Sequence, residues 1–196
     1  ITKNIAVKDT AVSIYREKGF IIVEDIFSEE DIRRMRDARD ELVATAHGVT
    51  DHTDILDLEP SHTPSAPKVR RIKDAVNSHP VFDEMSRNSK LIAVLKALIG
   101  TNLRMHGSKI NLKSAQYGSA VEWHQDWAFY PHSNDDVLAV GVMLDDMTAD
   151  NGPMMIVPGS HTGPTYDHHQ DGRFIGGINL ATTMLDVSGA EMITGP

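Results

Sequence analysis

At 196 residues the chain has the length of one domain, and its 40% hydrophobic and 24% charged residues are ordinary for a globular protein. A formal charge of −9 without a long basic block argues against a nucleic-acid partner. No apolar run approaches the roughly 20 residues of a membrane helix, and no secretory apolar segment opens the chain. The absence of cysteine excludes disulfides and thiolate ligands and fits a reducing cytoplasm; any metal must be held by His, Asp or Glu.

The first half of the chain reads as helical. Ala11, Ile14, Tyr15 and Lys18 follow helical spacing, and Gly19 stops that helix. G-F-I-I-V-E-D follows as a short run rich in β-formers. Ser28 and the acids after it open a second helix with a capping-box pattern. Ile32, Met35, Leu42, Val43 and Ala46 form its apolar stripe, and Gly48 closes it. Residues 49–67 are polar and proline-containing, a loop long enough to act as a lid. A third helix spans residues 89–99, with Leu91, Ile92, Leu95, Leu98 and Ile99 apolar, and ends at Gly100.

From Leu103 the character changes. L-R-M-H-G-S-K-I-N-L-K, A-V-E-W-H-Q-D, V-L-A-V-G-V-M-L-D and G-P-M-M-I-V-P read as strands between Gly, Pro, Asn and Asp turns. Residues 137–144 are apolar throughout, the pattern of a strand buried on both faces. Weaker strand signals lie at 174–180 and 190–193. Helices first and short strands afterwards point to a mainly β sandwich or barrel with an N-terminal helical layer.

The motif V-E-W-H-Q-D-W-A-F-Y-P-H, residues 121–132, concentrates chemistry. On a strand Glu122, His124 and Asp126 share one face, with His124 and Asp126 roughly 6.6 Å apart along it. An imidazole and a carboxylate at that spacing can converge on one cation and leave positions open, the facial arrangement of non-haem iron oxygenases. H-x-D is a cheap pattern, however, and also occurs at His52/Asp54 and His169/Asp171. Such a pair is more often a surface or hydrogen-bonded pair; only the middle one is flanked by bulky apolar residues on a predicted strand. His132 and His161 read as loop or surface histidines. N-G-P at 151–153 and P-G-S at 158–160 read as tight turns.

W-H-Q-D-W-A-F-Y-P-H, its spacing to L-D-D-M-T-A-D-N-G-P-M-M-I-V-P-G-S-H, and the upstream S-K-I-N-L-K together resemble the phytanoyl-CoA dioxygenase family. V-R-R-I-K-D at 69–74 and L-I-G at 98–100 add to the likeness, which covers about residues 10–170. The resemblance implies a single domain over 1–196 with a double-stranded β-helix (jelly-roll, cupin-like) fold. It also implies a dioxygenase that uses Fe(II), 2-oxoglutarate and O₂ to hydroxylate a small organic molecule. By the same match His124 and Asp126 are iron ligands and Asn111 contacts the cosubstrate. Lys109 and Lys113, on the face of Asn111 by alternation, either pair a cosubstrate carboxylate or stand solvated at the sheet edge. Trp127 and Tyr130 wall the substrate pocket or pack in the core. Arg70 and Arg71, with Lys68, attract an anionic substrate group or form a solvated basic patch.

In this family a distal iron-binding His and an Arg that clamps 2-oxoglutarate follow on later strands. His161, His168 and His169 do not stand in the matching position. About six strand signals fall short of the roughly eight of a jelly roll, so the expectation is a barrel incomplete at its C-terminus. Further sequence, a second copy in a homodimer, or an inactive truncated relative would each account for the deficit. A cupin-like binding or isomerising protein without redox metal is the rival reading.

Overall fold

The structure, a computed structural model, describes residues 9–115, 118–130, 132–134 and 136–195. The described chain divides into two compact units, one holding residues 23–96 and 100–119, the other residues 9–22, 97–99 and 120 onward.

The first unit carries most of the apolar core. Helix α2, Glu29–Ala44, starts where the side chain of Ser28 accepts from Asp31 N–H and the Asp31 carboxylate accepts from Ser28 N–H. This is the capping box the sequence announces, closed by Asp in place of the usual Glu or Gln. Met35, Ala38 and Leu42 of its inner face are buried, as is Ala46 just beyond it. Strands β1 (Leu56–Leu58), β2 (Val69–Lys73) and β3 (Lys109–Asn111) form an antiparallel sheet in the order β1-β2-β3. Leu56 and Ile72 face each other across the first pair and are both 0% exposed. Short helices α3 (Ala75–Ser78) and α4 (Pro80–Ser86) follow β2 and bury Ala75, Phe82 and Met85. Helix α5, Ser89–Ile99, is capped by the Asn88 side chain on the N–H groups of Lys90 and Leu91, and stops at Gly100 with φ +96°.

The segment 49–67, expected to be a loop, is therefore partly strand. Thr53 Oγ1 accepts from the N–H of Leu56, and His52 Nδ1 accepts from the N–H of Leu58, which holds β1 in register. Buried Glu59 follows this strand and accepts from the backbone N–H (3.1 Å) and the hydroxyl of Ser119. Burial alone would raise the Glu59 carboxyl, but the Ser119 bonds and the nearby Arg70 and Lys113 charges outweigh it and hold the group below its usual value. A depressed carboxyl contributes stability above the unfolded value of about 4.3 and loses it as pH falls through the folded value. Ser119→Ala is therefore expected to cost about 1–3 kcal/mol in urea unfolding at pH 7. That deficit should shrink as the pH is lowered through the carboxylate range. An equal deficit at pH 7 and pH 3 would show that ionised Glu59 is not what Ser119 serves.

The second unit is thinner. Helix α1, Asp9–Lys18, ends at Gly19, whose φ is +84° and whose N–H donates to Tyr15 O at 2.8 Å. Its last turn is covered by the 159–161 turn, where Gly159 N–H donates to Lys18 O and His161 Nε2 bonds Arg16 O at 3.1 Å. Two short ladders pair β4 (Met155–Ile156) with β7 (Glu191–Met192), and β5 (His169–Gln170) with β6 (Arg173–Phe174). Of its apolar side chains only Ile178 and Ile193 are buried among the described residues.

Several expected strands do not form. Residues 137–144 make no ladder, and Val140 and Val142 are 47% and 36% exposed. Residues 19–25 form no strand, with Ile22 61% exposed. Of 103–113 only Lys109–Asn111 pairs, and of 174–180 only Phe174. The cause is shared: an extended apolar segment becomes a strand only when a neighbour completes its hydrogen bonds.

Candidate metal centre

The pair His124 and Asp126 lies in the second unit, but not on the strand the alternation assumed. His124 follows a bend, and Asp126 opens a 3-10 turn, Asp126–Ala128, closed by Ala128 N–H on Gln125 O and Phe129 N–H on Asp126 O. The turn shortens the distance a flat strand would impose. His124 Nε2 and Asp126 Oδ1 stand 3.4 Å apart, both side chains about two-thirds covered or more (27% and 31% exposed).

The tautomer follows from one contact. His124 Nδ1 lies 2.8 Å from the carbonyl oxygen of Glu122, which can only accept, so Nδ1 carries the hydrogen. A neutral ring then has its lone pair on Nε2, the nitrogen facing Asp126. Metal-bound histidines are oriented in this way, the second ring nitrogen donating to a carbonyl or carboxylate. Two donors each about 2.1 Å from one cation stand about 3.0–3.4 Å apart at octahedral to tetrahedral angles. The pair therefore fits two positions on a divalent metal. Among the described residues no third His, Asp or Glu joins them.

The other two H-x-D pairs are spent elsewhere. His52 accepts from Leu58 N–H as part of the β1 loop. His169 bonds Asp167 at 2.7 Å, and this contact is the chief reason the Asp167 carboxyl sits below its usual value.

Aromatic residues surround the pair. Phe129 stands edge-on to His124 at 5.7 Å, and to Phe174 at 5.0 Å. Burial first, then the Asp126 charge, lifts the Tyr130 phenol above its ordinary value, so it stays protonated and hydrogen-bonds Asp126. Trp127 meets the ring of exposed His132 edge-on. A cleft of about 520 Å³ opens in the same unit, lined by Glu122, Gln170, Ile175, Gly177, Ile178 and Leu180 among others.

Two residues to which the sequence reading gave no role prove central to this geometry. Gln125, between the two candidate ligands, donates from its side-chain amide to Pro164 O at 3.0 Å and accepts from Tyr166 N–H at 2.8 Å. Its backbone N–H donates to Nε2 of His168, a histidine only 1% exposed. The distance in sequence hides this partnership; the only hint is a polar residue interrupting W-H-x-D.

The remaining candidates lie in the first unit. Asn111 and Lys109 are exposed on β3, and Asn111 Oδ1 accepts from Arg71 Nε at 3.2 Å. Arg71 also lies 3.6 Å from Asp57, which pairs with Lys73 at 3.1 Å. Lys113 lies beyond the end of β3 and donates to Ser119 O, while Arg70 contributes to the field on Glu59.

Compared with known proteins, the sequence matches the phytanoyl-CoA dioxygenase (PhyH) family over residues 15–176. The chain belongs to that family. It is 35% identical over 186 residues, 93% of its length, to a probable alpha-ketoglutarate-dependent hypophosphite dioxygenase of Stutzerimonas stutzeri, of which it covers 65%. It is 26% identical over 179 residues to an ectoine dioxygenase of Sphingopyxis alaskensis, covering 86% of this chain and 56% of that protein. The crystal structure of EctD from S. alaskensis with 2-oxoglutarate and 5-hydroxyectoine superposes with a TM-score of 0.66 at 27% identity, over 82% of this chain and 56% of the other. The chain thus spans somewhat under two-thirds of the length of these relatives.

Proposed function

We propose that this protein is a non-haem Fe(II)- and 2-oxoglutarate-dependent dioxygenase that hydroxylates a small molecule. The observation that carries the reading is the His124 Nε2–Asp126 Oδ1 approach of 3.4 Å, with the Glu122 carbonyl fixing the histidine tautomer. Family membership supports it, as do relatives whose names give dioxygenases that use alpha-ketoglutarate or act on ectoine.

In this reading His124 and Asp126 hold Fe(II). When bound, iron with 2-oxoglutarate and O₂ supplies the oxidising chemistry, and the protein supplies orientation and exclusion of water. Asp126 offsets part of the cation charge, and Tyr130 donates to that carboxylate and holds its orientation. Phe129 shields the imidazole. Trp127 and Tyr130 are assigned to the substrate wall. Asn111, with Lys109 and Lys113, is assigned to the cosubstrate; Arg71 on Asn111 Oδ1 directs the amide hydrogens away from itself, ready to donate to a carboxylate. Arg70 and Arg71 are assigned to an anionic group of the substrate.

The same proposal takes residues 1–196 as one double-stranded β-helix domain, supported by the family match running through both units and by the likeness to EctD. Among the described residues no helix is long and apolar enough to cross a membrane. A cytoplasmic setting, which keeps iron reduced, and a homodimer covering exposed Val140 and Val142 complete the reading.

The test is succinate formation by the full-length protein with hypophosphite and ectoine as first substrates. Succinate that requires both added Fe(II) and 2-oxoglutarate supports the proposal. Binding or isomerisation of a substrate with no succinate under any condition favours a cupin-like protein without redox metal.

A further inference from the structure

We infer that His168 is a positioning residue for the His124/Asp126 pair, acting as a neutral clamp on the peptide between them. The inference rests on the reading of that pair as metal ligands.

His168 is among the most deeply buried side chains of the described residues, and it is polar. Its two nitrogens are both used, in opposite senses. Nδ1 lies 2.8 Å from Tyr166 O and must donate; Nε2 lies 2.9 Å from Gln125 N and must accept. A ring that accepts at Nε2 cannot be protonated there, so this geometry exists only for the neutral Nδ1–H tautomer. His168 therefore cannot serve as a metal ligand without giving up the Gln125 bond.

The bonded peptide is the one that matters. Gln125 N–H belongs to the residue between His124 and Asp126, and its rotation would swing the two side chains apart. The Gln125 side chain adds two more bonds to the same 164–166 stretch. The backbone of His168 is itself anchored, its carbonyl accepting from Ile175 N–H at 2.9 Å. One further bond, from Ile178 N–H to Trp123 O at 2.7 Å, holds the residue before His124. Phe129 and Phe174 lie against the His168 ring, at 6.2 and 6.3 Å, and keep water from competing for Nε2. Three hydrogen bonds linking the residue between two ligands to the 164–168 stretch specify a fixed bite, not generic core packing.

Two substitutions separate the nitrogens. His168→Asn can reproduce the Nδ1 bond to Tyr166 but not reach Gln125. His168→Gln can place an acceptor near the Nε2 position. The full-length protein is titrated with Co(II), whose visible absorption reports ligand geometry. His168→Gln is expected to bind within a few-fold of the parent. His168→Asn should weaken binding about 10- to 100-fold, the usual effect of losing a partner that orients a ligand, with an altered visible spectrum. Melting of the metal-free variants should be alike. Equal Co(II) affinity and spectrum in His168→Asn and the parent overturn the inference.

A measurement on the unaltered protein keeps the claim testable if a variant does not fold. In the metal-free and Zn(II)-loaded forms, a ¹⁵N–¹⁵N coupling through the hydrogen bond is expected between Gln125 N and His168 Nε2. An Nε2–H tautomer, or no coupling, overturns the clamp. If the unaltered protein shows the coupling but binds neither Co(II) nor Zn(II), it is the metal-ligand reading that fails, and the positioning role fails with it.

Discussion

Asp126→Ala should abolish Fe(II)-dependent succinate formation while leaving the fold standing. The carboxylate is the only anionic member of the pair and stands 3.4 Å from His124 Nε2. Without it one imidazole is left of the described donors, and a single nitrogen holds a divalent cation weakly. Metal-derived stabilisation is worth several kcal/mol and every ~1.4 kcal/mol is tenfold, so turnover is expected to fall on the order of a thousandfold or more. The carboxylate is about one-third exposed and its backbone keeps the 3-10 turn, so thermal melting should change little. A succinate assay and a melt on the same sample check both halves. Unchanged turnover in Asp126→Ala would remove this residue from the chemistry.

The largest expected loss of stability comes from a glycine. Gly19→Ala drives a methyl group into His161 Nδ1, at a residue whose φ is +84°. Left-handed backbone costs an alanine about 1–2 kcal/mol. Overpacking a fixed neighbour adds typically 1–3 kcal/mol. His161 is not free to retreat, because its other nitrogen is bonded to Arg16 O. Urea unfolding is expected to show a combined loss of about 2–5 kcal/mol. The double variant Gly19→Ala/His161→Ala should recover the steric share but not the backbone share, a non-additivity that double-mutant analysis reads directly. Additive losses would mean that the clash relaxes at no cost.

What the sequence made legible is what short-range chemistry determines. The Ser28 cap, the 89–99 helix with its Gly100 stop and the Gly19 stop all depend on residues within a few positions of one another, and all appear as read. The middle H-x-D pair was also separable from its two rivals, because its flanking aromatics announced a partly dry setting. Residues 121–126 and 137–144 were misjudged for one reason. Their apolar composition promises a strand, yet pairing depends on a partner that no local pattern names. Asp126 approaches His124 through a turn and not through alternation, so the two side chains meet by a local geometry other than the one read. Gln125 and His168 were missed because their partnership joins residues far apart in the chain, and a glutamine between two ligands has no periodicity to betray it. The family resemblance implied what spacing could not: the cosubstrate and the type of reaction.

The Gln125–His168 bond joins residues 43 positions apart, whereas His124 and Asp126 are neighbours but one. The pair itself therefore costs the chain almost nothing to bring together, but its rigidity depends on closing a loop whose entropy cost is about 3 kcal/mol beyond a constant. During folding the two donors are near each other well before they are held still. A cation that prefers the held geometry stabilises the closed loop by mass action. Added metal should then slow the opening of the loop that this bond closes, which makes amide exchange at its far end, around His168, a gauge of site occupancy.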